Sequence, residues 1–165
     1  MKIYLIRHAH YLPVNDGDGP LTDKGKVQST NLAKRLIRES VKFKRIYSSP
    51  KTRAREIADI CCKIMGNEGI IFSGQLVEEQ FDEEPSDVVN RMKWFIDFIK
   101  SEVGNDSCAV FSHCYAIRYL LNSIEKNPDR IVLPHAGIAL LDYIDSKLRI
   151  MDYNPKLHLE GIESY

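Results

Sequence analysis

No stretch of this chain stays apolar for anything near the ~18 residues that a membrane-spanning helix needs. The N-terminal apolar segment is short and carries no signal-peptide pattern. The expectation is a cytoplasmic protein with no membrane partner. An excess of either charge is missing too: 23 Lys and Arg stand against 23 Asp and Glu. No overall field therefore draws the chain to nucleic acid, and any preference for an anion must come from local clustering. The cysteines (Cys61, Cys62, Cys108 and Cys114) form no C-x-x-C pair, which argues against a zinc cluster and for reduced thiols. Internal repeats, low-complexity tracts and Pro/Gly-rich linkers are absent. A chain of 165 residues, 44% hydrophobic and 28% charged, is expected to form one globular domain, 1–165.

What is present is an alternation of strands and helices. "KIYLI" has the β-branched and aromatic make-up of a buried strand. "LTDKGKVQSTNLAKRLIRES" reads as a helix capped by Thr22, its apolar face running Val27, Leu32 and Leu36 with Ala33 and Ile37 beside it. "KRIYSS" is a short second strand. "SPKTRAREIADICCKIMG" offers Ser49 as a cap, Pro50 at the first helical position and Gly66 as a stop. "GIIFS" is a weaker strand. "SDVVNRMKWFIDFIKSEVG" is the clearest helix, with Val89, Met92, Ile96, Ile99 and Val103 at 3-4 spacing between Ser86 and Gly104. "SCAVFSH" is a strand followed by the short helix "AIRYLLNSI". "GIALLDYIDSKLRIMDY" reads as two strands joined at Asp145-Ser146-Lys147 and added antiparallel at an edge. The fold class is α/β with a mainly parallel sheet covered on both faces.

Chemistry collects at the strand ends. Arg7, His8 and His10 follow the first strand, and His113 follows "SCAVFS". Both sets fall at C-terminal ends of parallel strands, where open α/β sheets bind ligands. Arg53 lies in the first turn of a helix, whose backbone N–H groups already favour an anion, and its guanidinium adds a bidentate donor. Singly, each arginine would more often make a surface ion pair. Together, two arginines, two histidines and a helix start are suited to a phosphate or similar oxyanion. His135, in "LPHAG", precedes a strand and is placed to line the rim.

Metal readings fare worse. "HAH" looks like the His-x-His opening of amidohydrolase barrels, but eight βα units take roughly 250 residues. His113 has no partner at i+4 for a helical zinc site. "NDGDGP" starts like a calcium loop, yet no glutamate stands where an EF-hand requires one.

Five blocks, in order and covering most of the chain, resemble the histidine phosphatase superfamily, the phosphoglycerate mutase-like fold. "LIRHAH" resembles its R-H-G signature and "PLTDKGKVQS" its L-T-x-x-G-x-x-Q-A segment. "YSSPKTRAREIA" is similar to S-S-P-x-x-R-A-x-x-T-A, "QLVEEQF" to the L-x-E block and "VFSHCYAIRYLL" to V-S-H-G-x-x-I-R. The resemblance implies a three-layer sandwich with a short cap segment, no metal and no cofactor. It makes His8 a phosphorylated nucleophile, Arg7, Arg53 and His113 the phosphate pocket, and Glu78 the general acid, with Glu79 as the alternative. The family's pocket asparagine falls nearest Asn15, which joins Thr22 as a candidate substrate-binding residue. The chain departs from the pattern at Ala9, His10, Tyr11 and Cys114, which bears on substrate recognition more than on phosphoryl chemistry.

The implied activity is a phosphatase acting on a phosphorylated small molecule or phosphoprotein, with oligomeric state open. A mutase or a phosphohistidine-protein phosphatase are the alternatives, and a non-catalytic phospholigand-binding module would lack one of the core residues that survive here. Between Glu78 and His113 lie 34 residues, mostly one helix. That is little chain from which to build a lid to exclude water, so hydrolysis is favoured over mutase chemistry. An open site with weak selectivity is expected, unless Tyr11-Leu12-Pro13 and "FDEEPSD" fold over the mouth.

Overall fold

The computed structural model describes residues 1–14, 17–125 and 131–153. These form strands β1 (Lys2–Arg7), β2 (Arg45–Ser48), β3 (Ile71–Phe72), β4 (Ser107–Ser112), β5 (Ile138–Ile144) and β6 (Lys147–Tyr153). Four helices accompany them: α1 (Asp23–Arg38), α2 (Thr52–Met65), α3 (Pro85–Val103) and α4 (Cys114–Ile124). The six strands make one sheet in the order β3-β2-β4-β1-β5-β6. β3, β2, β4 and β1 run parallel, while β5 and β6 add antiparallel.

Strand alternation builds the three layers. Ile3, Leu5, Cys108 and Val110 turn to the face covered by α3 and α4. Ile6, Ala109 and Phe111 turn to the face covered by α1 and α2. β1 and β4 are buried on both faces, which is why their sequences read as nearly continuous apolar runs. β1 leaves by α1 toward β2, and β4 leaves by α4 toward β5. The two connections depart in opposite directions on opposite faces. A crevice therefore opens at the C-terminal ends of this central pair, the switch point where ligands bind in such sheets.

Several local expectations shift. Val27 and Ile37 are 49% and 48% exposed on α1, whose buried face is Gln28, Ser29, Leu32, Ala33 and Leu36. On α3 the buried residue at the start of the stripe is Val88 rather than Val89, and Phe95 joins it. That helix begins at Pro85, one residue before Ser86, with a reciprocal capping box between Glu84 and Asp87. The N-cap of α2 is Lys51, with no side-chain cap bond, while Ser49 Oγ accepts the Lys51 N–H at 3.3 Å and also meets His113. The β5–β6 turn falls where expected, with Asp145 and Ser146 at φ 49° and 58°. No helix among the described residues is long and apolar enough to cross a membrane.

Candidate active site

Pairing register assembles the centre of the site. Arg7 is opposite Ser112 in the parallel β1–β4 ladder. The next residues on each strand, His8 and His113, therefore stand side by side, and the His8 N–H bonds the Ser112 carbonyl at 3.0 Å. Their ring centroids are 5.3 Å apart. Both side chains are almost wholly buried, His8 at 3% and His113 at 0% exposure.

The partners of His8 fix its proton. Its Nδ1 lies 2.9 Å from the Ala9 carbonyl, which can only accept, so Nδ1 carries the hydrogen and Nε2 keeps its lone pair. Burial holds the ring's pKa down to about 3, aided by the charges of Arg53, Arg7 and His135 and opposed by the Ala9 bond. At neutral pH this is an uncharged imidazole. His113 Nε2 lies 2.8 Å from Ser49 Oγ. Burial, then the nearby His8 and Arg53, keep His113 well below the ordinary histidine range.

The two arginines approach from different elements. Arg7 Nη1 donates to the Leu133 carbonyl at 2.7 Å, and Nη2 to His135 Nε2 at 3.3 Å. Arg53, 6% exposed, donates from Nη1 to Asp18 Oδ1 at 3.1 Å and to the Gly17 carbonyl at 3.3 Å. Asp18 also accepts the Thr52 N–H at the start of α2 at 2.8 Å and the Gly19 N–H at 2.9 Å. Burial would raise the Asp18 carboxyl, but these hydrogen bonds win and hold it below the usual range. The guanidinium of Arg53 lies over the Tyr11 ring at 4.8 Å, and the same ring meets His8 edge-on with centroids 5.0 Å apart. Among the described residues, Arg7 Nε, Arg53 Nε and His113 Nδ1 are buried without hydrogen-bond partners. Unpaired buried donors are costly, so the two guanidinium nitrogens, whose charges both bear on His8, are suited to an acceptor.

Glu78 and Glu79 part company at α4. Glu78 Oε1 accepts the N–H groups of Tyr115 and Ala116 at 3.0 and 3.1 Å, on the first turn of the helix that His113 caps. Glu79 Oε1 instead accepts the Tyr119 hydroxyl at 3.1 Å, one turn further along. Cys114, beside His113, has its thiol pushed up by burial and is not a ready thiolate.

The loop after His8 is held by the "LTDKGKVQ" stretch. The His10 N–H donates to Gln28 Oε1 at 2.9 Å, and His10 Nδ1 lies 2.8 Å from Thr22 Oγ1. Thr22 Oγ1 also accepts the Gly25 N–H at 3.2 Å, so this residue caps α1 as expected. A Cβ at Gly25 would sit 1.9 Å from the His10 carbonyl, so only glycine lets α1 come this close. Asn15 lies outside the described residues. His135 lies at the rim as expected, Tyr11 stands against His8, Ser49 meets His113 rather than serving only as a cap, and Asp18, which carried no expected role here, joins them. Asp18 belongs to the calcium-like "NDGDGP" stretch, and its carboxylate is turned to an arginine. No group of three or more His, Cys, Asp or Glu among the described residues is placed to hold a metal ion.

Comparison with known proteins gives the same picture. The family profile described as Histidine phosphatase superfamily (branch 1) matches residues 3–83 and 70–156. The serine/threonine-protein phosphatase Pgam5, mitochondrial, of Drosophila yakuba is 41% identical over 63 residues, 37% of this chain and 22% of that protein. The chain thus spans about a fifth of the length of the curated relatives it matches. The protein histidine phosphatase SixA, complexed with tungstate, superposes with a TM-score of 0.78 at 19% identity, covering 94% of this chain and 97% of that one. Phosphoglycerate mutase from Bacillus anthracis str. Sterne gives 0.80 at 18% identity, covering 92% of each. At such identities these structures speak for the fold alone.

Proposed function

Because the chain belongs to the histidine phosphatase superfamily, branch 1, we propose that it is a metal-independent phosphomonoester hydrolase with His8 as its nucleophile. The observation that carries this reading is that Arg7 Nε, Arg53 Nε and His113 Nδ1 are buried without hydrogen-bond partners, while both arginine charges bear on His8, whose ring stands beside that of His113. His8 Nε2 attacks phosphorus in line and forms a phosphohistidine, splitting one displacement into two easier ones. The guanidiniums and His113 hold the equatorial oxygens as charge shifts in the transition state. Ser49 Oγ–H donating to His113 Nε2 would leave the His113 proton on Nδ1, aimed at the phosphoryl group.

Glu78 protonates the departing alkoxide and then takes a proton from the hydrolytic water. The bonds from Tyr115 and Ala116 support this choice, since they hold its carboxyl at the start of α4, the helix that His113 caps, while Glu79 is engaged with Tyr119. Thr22 acts through His10, as a positioning residue. The substrate class is a phosphorylated small molecule or a phosphoprotein. The 41% identity to a protein phosphatase over 63 residues favours the second. One domain over 1–165 and a cytoplasmic location complete the proposal.

Turnover of a phosphomonoester panel in the presence of a chelator tests it. Activity should persist with chelator. Glu78→Gln should cost about 10² or more for alkyl phosphates and less for p-nitrophenyl phosphate, whose leaving group departs without a proton. Equal small losses for both substrates would move the acid role to Glu79. Activity that vanishes with chelator and returns with a divalent cation would contradict the metal-independent reading.

A further inference from the structure

The mechanism above leaves one histidine at the crevice without a task. β5 runs antiparallel to β1, so the start of β5 meets the end of β1. Ladder bonds from the Arg7 N–H to the Gly137 carbonyl at 3.0 Å and from the Ala136 N–H to the His8 carbonyl at 3.1 Å extend the pairing. His135 is thereby delivered to the site, its ring centroid 5.5 Å from that of His8 and 5.5 Å from that of His10. Arg7 can only donate, so the 3.3 Å contact makes His135 Nε2 an acceptor and places the ring proton on Nδ1. The charged and titratable groups facing His135 are Arg7 from β1, His8 and His10 from the loop after it, and Lys24 from α1. None of these is a carboxylate. Burial first, and then Arg7, His10 and Lys24, lower the ring's pKa to about 4, so the ring is neutral near pH 7.

A bound dianion would reverse that balance, since an opposite charge within hydrogen-bonding reach favours the protonated ring. We propose that His135 is a proton-linked ligand of the bound oxyanion: a neutral acceptor for Arg7 in the free protein, and a protonated donor once the anion is seated. One proton from solvent joins Nε2, and the Nη2–H···Nε2 bond breaks. Both N–H groups then turn to anion oxygens. Nothing is oxidised or reduced, and the proton is returned when the anion leaves and Arg7 is recaptured. This deepens the phosphate-pocket reading and rests on it.

The test is calorimetric titration of tungstate, a dianion that does not itself titrate near pH 7, into the whole chain in buffers of different ionisation enthalpy. Wild type should take up close to one proton per tungstate. His135→Gln keeps an acceptor for Arg7 but cannot titrate. It should bind about tenfold more weakly, as expected for one lost charge-assisted bond, with no dependence on buffer. Imidazole nitrogen NMR shifts in the wild-type protein give a readout that needs no variant: His135 should change from neutral to cationic on binding. Uptake that persists in His135→Gln, or a ring that stays neutral with tungstate bound, overturns the role given to His135 and leaves the pocket standing. Failure of tungstate to bind wild type contradicts the oxyanion pocket itself.

Discussion

Arg7 and Arg53 serve one crevice and are held in opposite ways. Arg7 rests on two neutral acceptors, the Leu133 carbonyl and His135 Nε2. Arg53 rests on a carboxylate, Asp18, which is itself tied to the first N–H of α2. A neutral anchor leaves the arginine's charge undiluted for a substrate, but a histidine anchor fails when it is protonated. An anionic anchor withstands acid, but it spends part of the guanidinium's field and of the helix N-terminus. The site thus combines a strong, proton-sensitive side with a weaker, robust one. Each of the two retains an unpaired Nε, so both still have a donor to offer.

The largest effect that would break this contrast is kinetic. Arg7→Ala and Arg53→Ala should each lower kcat by about 10²–10³, the usual cost of one donor to a developing oxyanion. Arg7→Ala should be the more damaging because no carboxylate offsets its charge. Steady-state kinetics with the ranking reversed would overturn the asymmetry.

The next concerns Asp18. Its side chain and that of Arg53 are 14% and 7% exposed. Asp18→Asn leaves a buried guanidinium short of its counter-ion and should lower stability by about 2–3 kcal/mol, read by denaturant unfolding. Added phosphate should stabilise the variant more than the wild type, by supplying Arg53 with a replacement anion. Equal stabilisation of both proteins would mean that Asp18 and the pocket are not coupled.

Acid should separate the two sides further. His8 at about 3 and His135 at about 4 both lie below the ordinary 6.5. Between pH 6.5 and those values the unfolded chain binds protons that the folded protein refuses, so stability falls as pH falls. His8 alone accounts for roughly 2 kcal/mol between pH 6.5 and 5. Asp18, held below the usual carboxylate range, stays ionised over that window and contributes no slope. Unfolding free energies at pH 7 and 5 should therefore show a smaller acid loss in His135→Gln and an unchanged one in Asp18→Asn.

The same contrast explains what could be read from the sequence. His8, Arg7 and His113 were legible because each follows a strand of buried composition, and parallel strands bring their C-terminal ends together. Arg53 was legible from its place at the start of a helix. His135 precedes its strand, so the antiparallel pairing expected of β5 brings it to the rim, while its bond to Arg7 needed the fold to be seen. Asp18 sits in a loop whose carboxylate could equally have faced water. Ser49 carried a plausible local role as a cap, and its hydroxyl, besides accepting the Lys51 N–H, reaches a histidine 64 residues away. The α3 stripe is as expected at Met92, Ile96, Ile99 and Val103 and differs only at its first member, because Val88 and Val89 both fit 3-4 spacing to Met92. Glu78 and Glu79 could be distinguished only once α4 presented its free N–H groups to one and Tyr119 to the other.

The most direct test of the central claim is the identity of the phosphorylated residue. After brief exposure to a fast-leaving phosphomonoester and a quench in base, in which phosphohistidine survives, peptide mass spectrometry should find the phosphoryl group on His8. His8→Ala should lose both the label and turnover. A label on Cys114, or turnover retained in His8→Ala, would contradict the phosphohistidine mechanism.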